Sequence, residues 1–299
     1  MSENSLQSHK EYPSNTSTPP PETVIARQVH AALEEDLGQG DLTSALIPAS
    51  SISKVKVICR QDAVLCGAPW ADEVFRQLDS GIRIHWALRD GEPISSGGLV
   101  CTLEGPTRAL LSGERTALNF LQTLSSTATA ARRFADVVAG TGAQILDTRK
   151  TLPGLRLAQK YAVRCGGCSN HRIGLFDLIL IKENHIQAAG SITAALVAAQ
   201  HKSPDVEVEV EVESLDELRE ALAAGARRIL LDNFSLAGLR EAVREAAGRA
   251  RLEASGGVDL RTVRAIAETG VDYISIGALT KDVEAVDLSM RFLETHLQS

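Results

Sequence analysis

Residues 145–186 read ILDTRKTLPGLRLAQKYAVRCGGCSNHRIGLFDLILIKENHI. The stretch opens on an apolar, strand-like run that ends in Asp147-Thr148-Arg149-Lys150. It then passes Pro153-Gly154, a helical segment and Gly166-Gly167, and closes on a second apolar strand ending in Lys182. Both strands carry cations at their C-terminal ends, the edge of an α/β sheet where ligands sit. Seven Lys/Arg stand against three Asp/Glu here, a local charge of +4 in a chain of formal net charge −7. That excess marks an anion site. Arg156, Lys160 and Arg164 fall in the helical part and read as solvated surface charges. Arg149, Lys150 and Lys182 do not, because an idle cation beside a buried apolar run is costly.

Working outward, the pattern beyond Gly142 repeats strand, loop, helix through ILDTR, LILIK, VEVEVEV, RILLDN, RLEAS and YISIG. Such alternation implies parallel strands joined by right-handed crossovers. No Gly-rich dinucleotide fingerprint follows the first strand, so an α/β barrel fits better than a doubly wound sheet, and fewer than eight strands are in view. The last two strands run into Ser255-Gly256-Gly257 and Ile276-Gly277-Ala278. Paired glycine loops there let backbone N–H groups approach a phosphate, with an expected helix after the Ser-Gly-Gly loop adding its dipole. Glu207, Glu209, Glu211 and Glu213 alternate with valines and share one face of their strand, so only the one at the barrel mouth can serve a ligand. Asp232 ends the next strand.

Upstream, Val24, Ile25, Val29 and Leu33 set a helix that stops at Gly38. Strand patterns at SKVKVICR, AVLCG, IRIHWAL and LVCTLEG, with a helix over WADEVFRQL, then describe a small mixed α/β unit. From Thr107 to about Val138 the period is helical, with Gly113 and Ser125-Ser126 as possible breaks, and Arg115 beside Glu114 reads as a surface ion pair of little consequence. The expected organisation is a disordered tail over 1–21, an N-terminal α/β sandwich domain over 22–125, a barrel domain over 126–285 carrying the site, and a C-terminal helix over 286–299 packing back on the first domain. A chain of 299 residues with 44% hydrophobic content can fill two such cores. Neither a membrane-length apolar run nor a signal-peptide pattern is present, which sets cytoplasm as the expectation. The acidic balance argues against nucleic acid. Five scattered cysteines suit a reduced protein. Cys165-Gly-Gly-Cys168, followed by His171, lacks a second ligand pair and reads as a Gly-rich turn rather than a zinc site.

DTRKTLPGLR, NHRIGLFD and LIKENHI, in that order and spacing, resemble the quinolinate phosphoribosyltransferase family, and the likeness runs from about residue 22 to about 295. Cys168 departs from the family's usual glycine. The resemblance implies an incomplete barrel with an N-terminal α/β open-faced sandwich. It implies that Ser255, Gly256, Gly257, Ile276, Gly277 and Ala278 hold the 5-phosphate of phosphoribosyl pyrophosphate, and that Glu211 with Asp232 serve Mg²⁺. Arg149, His171, Arg172 and Lys182 would clamp the two carboxylates of quinolinate, joined by Thr148 and by Arg115 from the neighbouring subunit of a homodimer or higher homo-oligomer, with Lys150 reaching the pyrophosphate. Asn184 and His185 would only support these groups. The implied reaction yields nicotinate mononucleotide, pyrophosphate and CO2. Three alternatives remain open from the residues: transfer to a different aromatic acid, an aldolase-like barrel with Lys182 as imine-forming nucleophile, and a non-catalytic nucleotide-binding regulator.

Overall fold

The computed structural model describes residues 17–297. Helix α1 (Glu22–Leu37) turns Ile25, Val29 and Leu33 inward and stops at Gly38, whose φ is 50°. Strands β1 (Ser51–Cys59) and β2 (Ala63–Val64) lead to α2 (Ala68–Leu78), followed by β3 (Arg83–Trp86), β4 (Pro93–Ile94), β5 (Leu99–Pro106) and the 32-residue α3 (Thr107–Val138). The second half begins with β6 (Gln144–Leu146), α4 (Arg156–Cys165), β7 (Ile179–Ile181), α5 (Glu183–Ala189) and α6 (Ile192–Lys202). It continues through β8 (Val208–Val212), α7 (Leu215–Ala223), β9 (Arg228–Asp232), α8 (Leu236–Ala246) and β10 (Arg251–Ser255). It closes with α9 (Val263–Ala267), β11 (Tyr273–Ser275), α10 (Ala278–Lys281) and β12 (Leu288–Leu297).

Six parallel strands lie in the order β6-β11-β10-β9-β8-β7. β6 and β7 do not pair. The gap beside β6 is taken by Ser169, which bridges Leu146 in parallel sense, so the barrel is incomplete. Its strands invert the usual reading of inside and outside. Val210, Val212, Ile229, Leu231 and Ile274 face outward into a core with Leu196, Leu218 and Leu239 of the covering helices, while Glu209 and Glu253 point into the barrel and are sealed from solvent. A second core packs α1, α2 and the first half of α3 on the antiparallel sheet β12-β1-β5-β3, around Trp70, Leu103 and Leu118. Helix α3 belongs to both cores: Leu110 to Ala128 serve the sandwich, Ala131 to Val138 the barrel.

Four expectations are corrected. The segment expected as a helix over 286–299 is strand β12, antiparallel to β1 along Ser51–Cys59, and it returns to the first sheet as an edge strand. The open edge of β1 outweighs the helical propensity of its leucine and glutamate residues, since unpaired strand N–H and C=O groups seek a partner. Neither suspected break interrupts α3. A Cβ on Gly113 would stand 2.7 Å from Phe75, so glycine is there to let α2 approach. Ser125 Oγ accepts from Cys66 N and donates to Cys66 O, which uses its polarity for docking the helix. Of the tail, residues 1–16 lie outside the described residues. Residues 17–21 are placed: Thr18 O accepts from Arg164 Nη2 at 2.8 Å, and Pro19 and Pro20 line a cleft with Pro69 and Asp72 of α2. Finally, the helix after Ser255-Gly256-Gly257 begins only at Val263, beyond a turn closed by Asp259.

The close approach of α4 to α3 depends on Gly166, where a Cβ would lie 2.4 Å from both Ala128 O and Ala131 Cβ. Because backbone is among the obstacles, Gly166→Ala must push the helices apart. It is expected to cost about 1–3 kcal/mol, read as a fall in thermal midpoint of several degrees with unchanged α-helical circular dichroism.

Candidate active site at the C-terminal edge of the barrel

Strand β6 delivers Asp147, fully buried, to the base of the mouth. Its Oδ1 accepts from Lys160 Nζ at 2.5 Å and from the backbone N of His171 at 2.8 Å, and its Oδ2 accepts from Asn170 Nδ2 at 2.7 Å. Lys160, 1% exposed, also donates to His171 O at 3.0 Å. Lys160 is therefore not the solvated charge expected from its helical position: α4 turns this side chain into the barrel. Burial pushes the Asp147 carboxyl up and the Lys160 ammonium down, and their attraction works against both shifts. This pair ties the exit of β6 to the segment 170–172, and so fixes Arg149 and Lys150 relative to Arg172.

Arg149 and Lys150 are exposed at the end of β6, and among the described residues neither side chain forms an ion pair. Arg172 is half-buried and donates to Leu178 O at 3.2 Å. Burial and then the neighbouring Arg149 charge depress its guanidinium. Two guanidinium charges near enough to disfavour one another favour an anion beside them. Lys182, from the end of β7, is paired with Glu211 of β8. His171 faces the other way: its Nδ1 accepts from Arg172 N at 2.7 Å, and its Nε2 lies 2.9 Å from Glu209 and 3.5 Å from Glu253 within the barrel. His185 closes the first turn of α5, its Nδ1 accepting from Lys182 N.

The two glycine loops adjoin this mouth. Gly256 and Gly257 both take positive φ, 104° and 59°. A Cβ on Gly256 would meet Asn233 Oδ1 at 2.1 Å, and Asn233, itself at φ 56°, donates to Asp232 Oδ2 at 2.7 Å. A Cβ on Gly277 would stand 3.0 Å from Lys150 Cδ and 3.7 Å from Thr148 Oγ1, so Thr148 and Lys150 lie across the second loop. Ile276 is buried and anchors that loop through its N–H to Leu146 O at 2.9 Å. Ala278 opens the single-turn α10.

The family model for the quinolinate phosphoribosyl transferase C-terminal domain matches residues 127–291, and the model for the N-terminal domain matches residues 41–125. The chain belongs to the quinolinate phosphoribosyl transferase family. It is 42% identical over 257 residues to a probable carboxylating nicotinate-nucleotide pyrophosphorylase of Bacillus subtilis, covering 86% of this chain and 89% of that one. It is 43% identical over 271 residues to the carboxylating nicotinate-nucleotide pyrophosphorylase of Mycobacterium leprae, covering 88% and 95%. Among solved structures it resembles the nicotinate-nucleotide pyrophosphorylase of Francisella tularensis, with TM-score 0.89, 44% identity and coverage of 93% and 99%.

Thr148, Arg149 and Lys150 follow β6, Lys182 follows β7, Glu211 lies near the end of β8 and Asp232 ends β9, while Arg172 comes from the segment between α4 and β7; Thr148 and Lys150 border the Gly277 loop, and Asp232 reaches the Gly256 loop through Asn233. Arg115 does not join them: it is exposed on α3 and makes no hydrogen bond or ion pair to any of them among the described residues. Of the three other glutamates that alternate with valines, Glu207 and Glu209 pair with Arg228, at 3.4 and 3.1 Å, while Glu213 forms no ion pair among the described residues. Sequence reasoning missed Asp147, Lys160 and Asn170 as one unit, Asn233 beside Gly256, and Glu253 with Arg228. Only Glu253 carried a signal, a lone acid between Leu252 and Ala254 in an apolar strand. Cys165 and Cys168 do not converge: the Cys168 thiol donates to Ala131 O, while Cys165 lies beside Cys66 and Asp90.

Removing one member of the buried pair should be severe. Lys160→Met leaves Asp147 charged and under-satisfied, and a loss of about 3–5 kcal/mol is expected in urea unfolding. Adding Asp147→Asn should recover part of it, giving a non-additive double-mutant cycle.

Proposed function

We propose that this mouth binds quinolinate and phosphoribosyl pyrophosphate and joins them with loss of CO2, producing nicotinate mononucleotide and pyrophosphate for NAD biosynthesis in the cytoplasm. The observation that carries the reading is the set of cations gathered at this edge: Arg149 and Lys150 at the end of β6, Lys150 lying across the Gly277 loop, and Arg172 in the segment that Asp147 ties to β6. Planar forks match the carboxylates of a pyridine dicarboxylate, and the N–H groups of residues 256–257 and 277–278 suit a terminal phosphate. Lys150, a point charge over Gly277, is placed for the pyrophosphate that leaves.

The pyridine nitrogen attacks ribose C1 as the C1–O bond to pyrophosphate breaks. The 2-carboxylate then departs as CO2, and C2 takes a proton. Most of the acceleration expected from this chain is positioning and charge neutralisation. Glu211 and Asp232 suit a Mg²⁺ ion: Lys182 engages one Glu211 oxygen and Asn233 one Asp232 oxygen, which leaves a hard oxygen donor on each of two strand ends. Such an ion supplies charge neutralisation for the phosphates. The imine alternative is disfavoured because Lys182 is 46% exposed and ion-paired, not set in an apolar pocket. The isolated position of Arg115 supports a homodimer in which each mouth borrows it from the partner.

Incubation with quinolinate, phosphoribosyl pyrophosphate and Mg²⁺ should release CO2 and nicotinate mononucleotide, whereas turnover of nicotinate in place of quinolinate would overturn the dicarboxylate reading. Glu211→Ala and Asp232→Ala should lower turnover at least about tenfold and weaken phosphoribosyl pyrophosphate binding while quinolinate alone still binds. Glu207→Ala, altering an exposed carboxylate, should be nearly silent. Arg115→Ala and Lys182→Ala should each be almost inactive alone. An equal mixture refolded together should regain roughly one quarter of its sites. No regain in confirmed mixed dimers would remove the shared-site proposal.

A further inference from the structure

Beneath the mouth, inside the barrel, lies a charged cluster that the reaction as described does not use. Arg228 from β9 donates to Glu209 of β8 at 3.1 Å and to Glu253 of β10 at 2.9 Å. Both glutamates are completely buried. His171 approaches them from the segment beside β6, and β11 contributes Ser275 and Tyr273, whose ring lies 4.9 Å from the Arg228 guanidinium. Arg228 already engages both carboxylates, so it fills the place that a metal ion would need.

Two features leave this cluster short of positive charge and of a hydrogen-bond donor. One guanidinium, that of Arg228, faces two carboxylates, while His171 Nδ1 accepts from the Arg172 backbone N–H. In addition, Glu253 Oε1 is buried without a hydrogen-bond donor, whereas Glu209 Oε2 has His171 Nε2 at 2.9 Å. An orphaned buried carboxylate oxygen is unusual and costly, and a proton on Glu253 supplies the missing donor.

We propose that Glu253, sealed beneath the mouth, takes up one proton when a dicarboxylate binds above it, and so acts as a proton-linked positioning residue for His171 and Arg172. The anion adds negative charge over a cluster that already holds an excess of it, and protonating Glu253 is the adjustment that leaves Arg228 and Glu209 paired. Glu253 is suited to this near neutrality: burial, then repulsion from Glu209, pushes its carboxyl up to about 7. Glu209 is held low against burial by His171 and Arg228 and stays ionised. The inference rests on the dicarboxylate reading of the mouth, so its test has a ligand-free arm.

In that arm, folded protein holds the Glu253 proton between about 4.5, the ordinary value, and about 7, whereas the unfolded chain has released it. Stability from denaturant unfolding should therefore fall as pH rises through this window, and fall less in Glu253→Gln. In the second arm, calorimetry of quinolinate binding near pH 7.5, in buffers of different ionisation enthalpy, should show uptake of close to one proton. The quinolinate Kd should rise by up to about tenfold per pH unit above neutrality. Glu253→Gln should lose the uptake and flatten the profile. Should that variant fold poorly, Glu209→Gln removes the repelling charge and should move the uptake to lower pH. No uptake by the unaltered protein, or full uptake retained in Glu253→Gln, overturns the inference. A normal ligand-free curve with no quinolinate binding overturns it together with the substrate reading, while an identical pH–stability slope in Glu253→Gln overturns it alone.

Discussion

A carboxylate that never meets water holds the mouth together. The Asp147 carboxylate accepts three hydrogen bonds, from Lys160, Asn170 and the backbone of His171, and each of these belongs to chain that must then pass into the site. Burying such a pair gives little net stability, because desolvation opposes the attraction; the opposite shifts of Asp147 and Lys160 under burial express that balance. What the pair does supply is register. β6 and β7 are not hydrogen-bonded to each other, and Asp147 joins the Ser169 bridge and Arg156 in tying the cations after β6 to Arg172.

The inverted barrel makes this arrangement possible. With the valines and isoleucines of its strands committed outward to the helices, the interior is free to be polar, and its charges neutralise one another in layers. The Arg228 layer sits deeper, with Glu209 and Glu253; the Lys182–Glu211 pair sits one residue pair nearer the mouth on β8; the unpaired cations come last, at the strand ends. Net positive charge appears only where a ligand can reach it, which is how an acidic chain presents a basic site.

Much of this was readable before any coordinates. All six barrel strands, the glycine loops after β10 and β11, and the strand-end cations were visible because period and position carry them. Lys160 was not, since a lysine on an amphipathic helix looks the same whether its face meets solvent or a strand end. The C-terminal strand was misread for a related reason: LSMRFLETHL has helical composition, and only the vacant edge of β1, a property of the assembled sheet, turns it into β12. Gly113 and Ser125 looked like helix breakers because their compensating contacts, Phe75 and Cys66, come from distant sequence.

Asn233 shows the same limit at the site itself. Its left-handed backbone, rare for any residue with a side chain, brings its amide against Gly256 and onto Asp232. One residue thereby couples the carboxylate at the end of β9 to the glycine loop after β10. The strain is tolerable because the backbone N of Asn233 is also held by Ser255 O at 2.9 Å, so the neighbouring strand end enforces the conformation. Gly256 is required twice over, for its own positive φ and for the space the amide takes. The phosphate loop and the carboxylate of the mouth are consequently a single mechanical unit, and a side chain introduced at Gly256 disturbs both together.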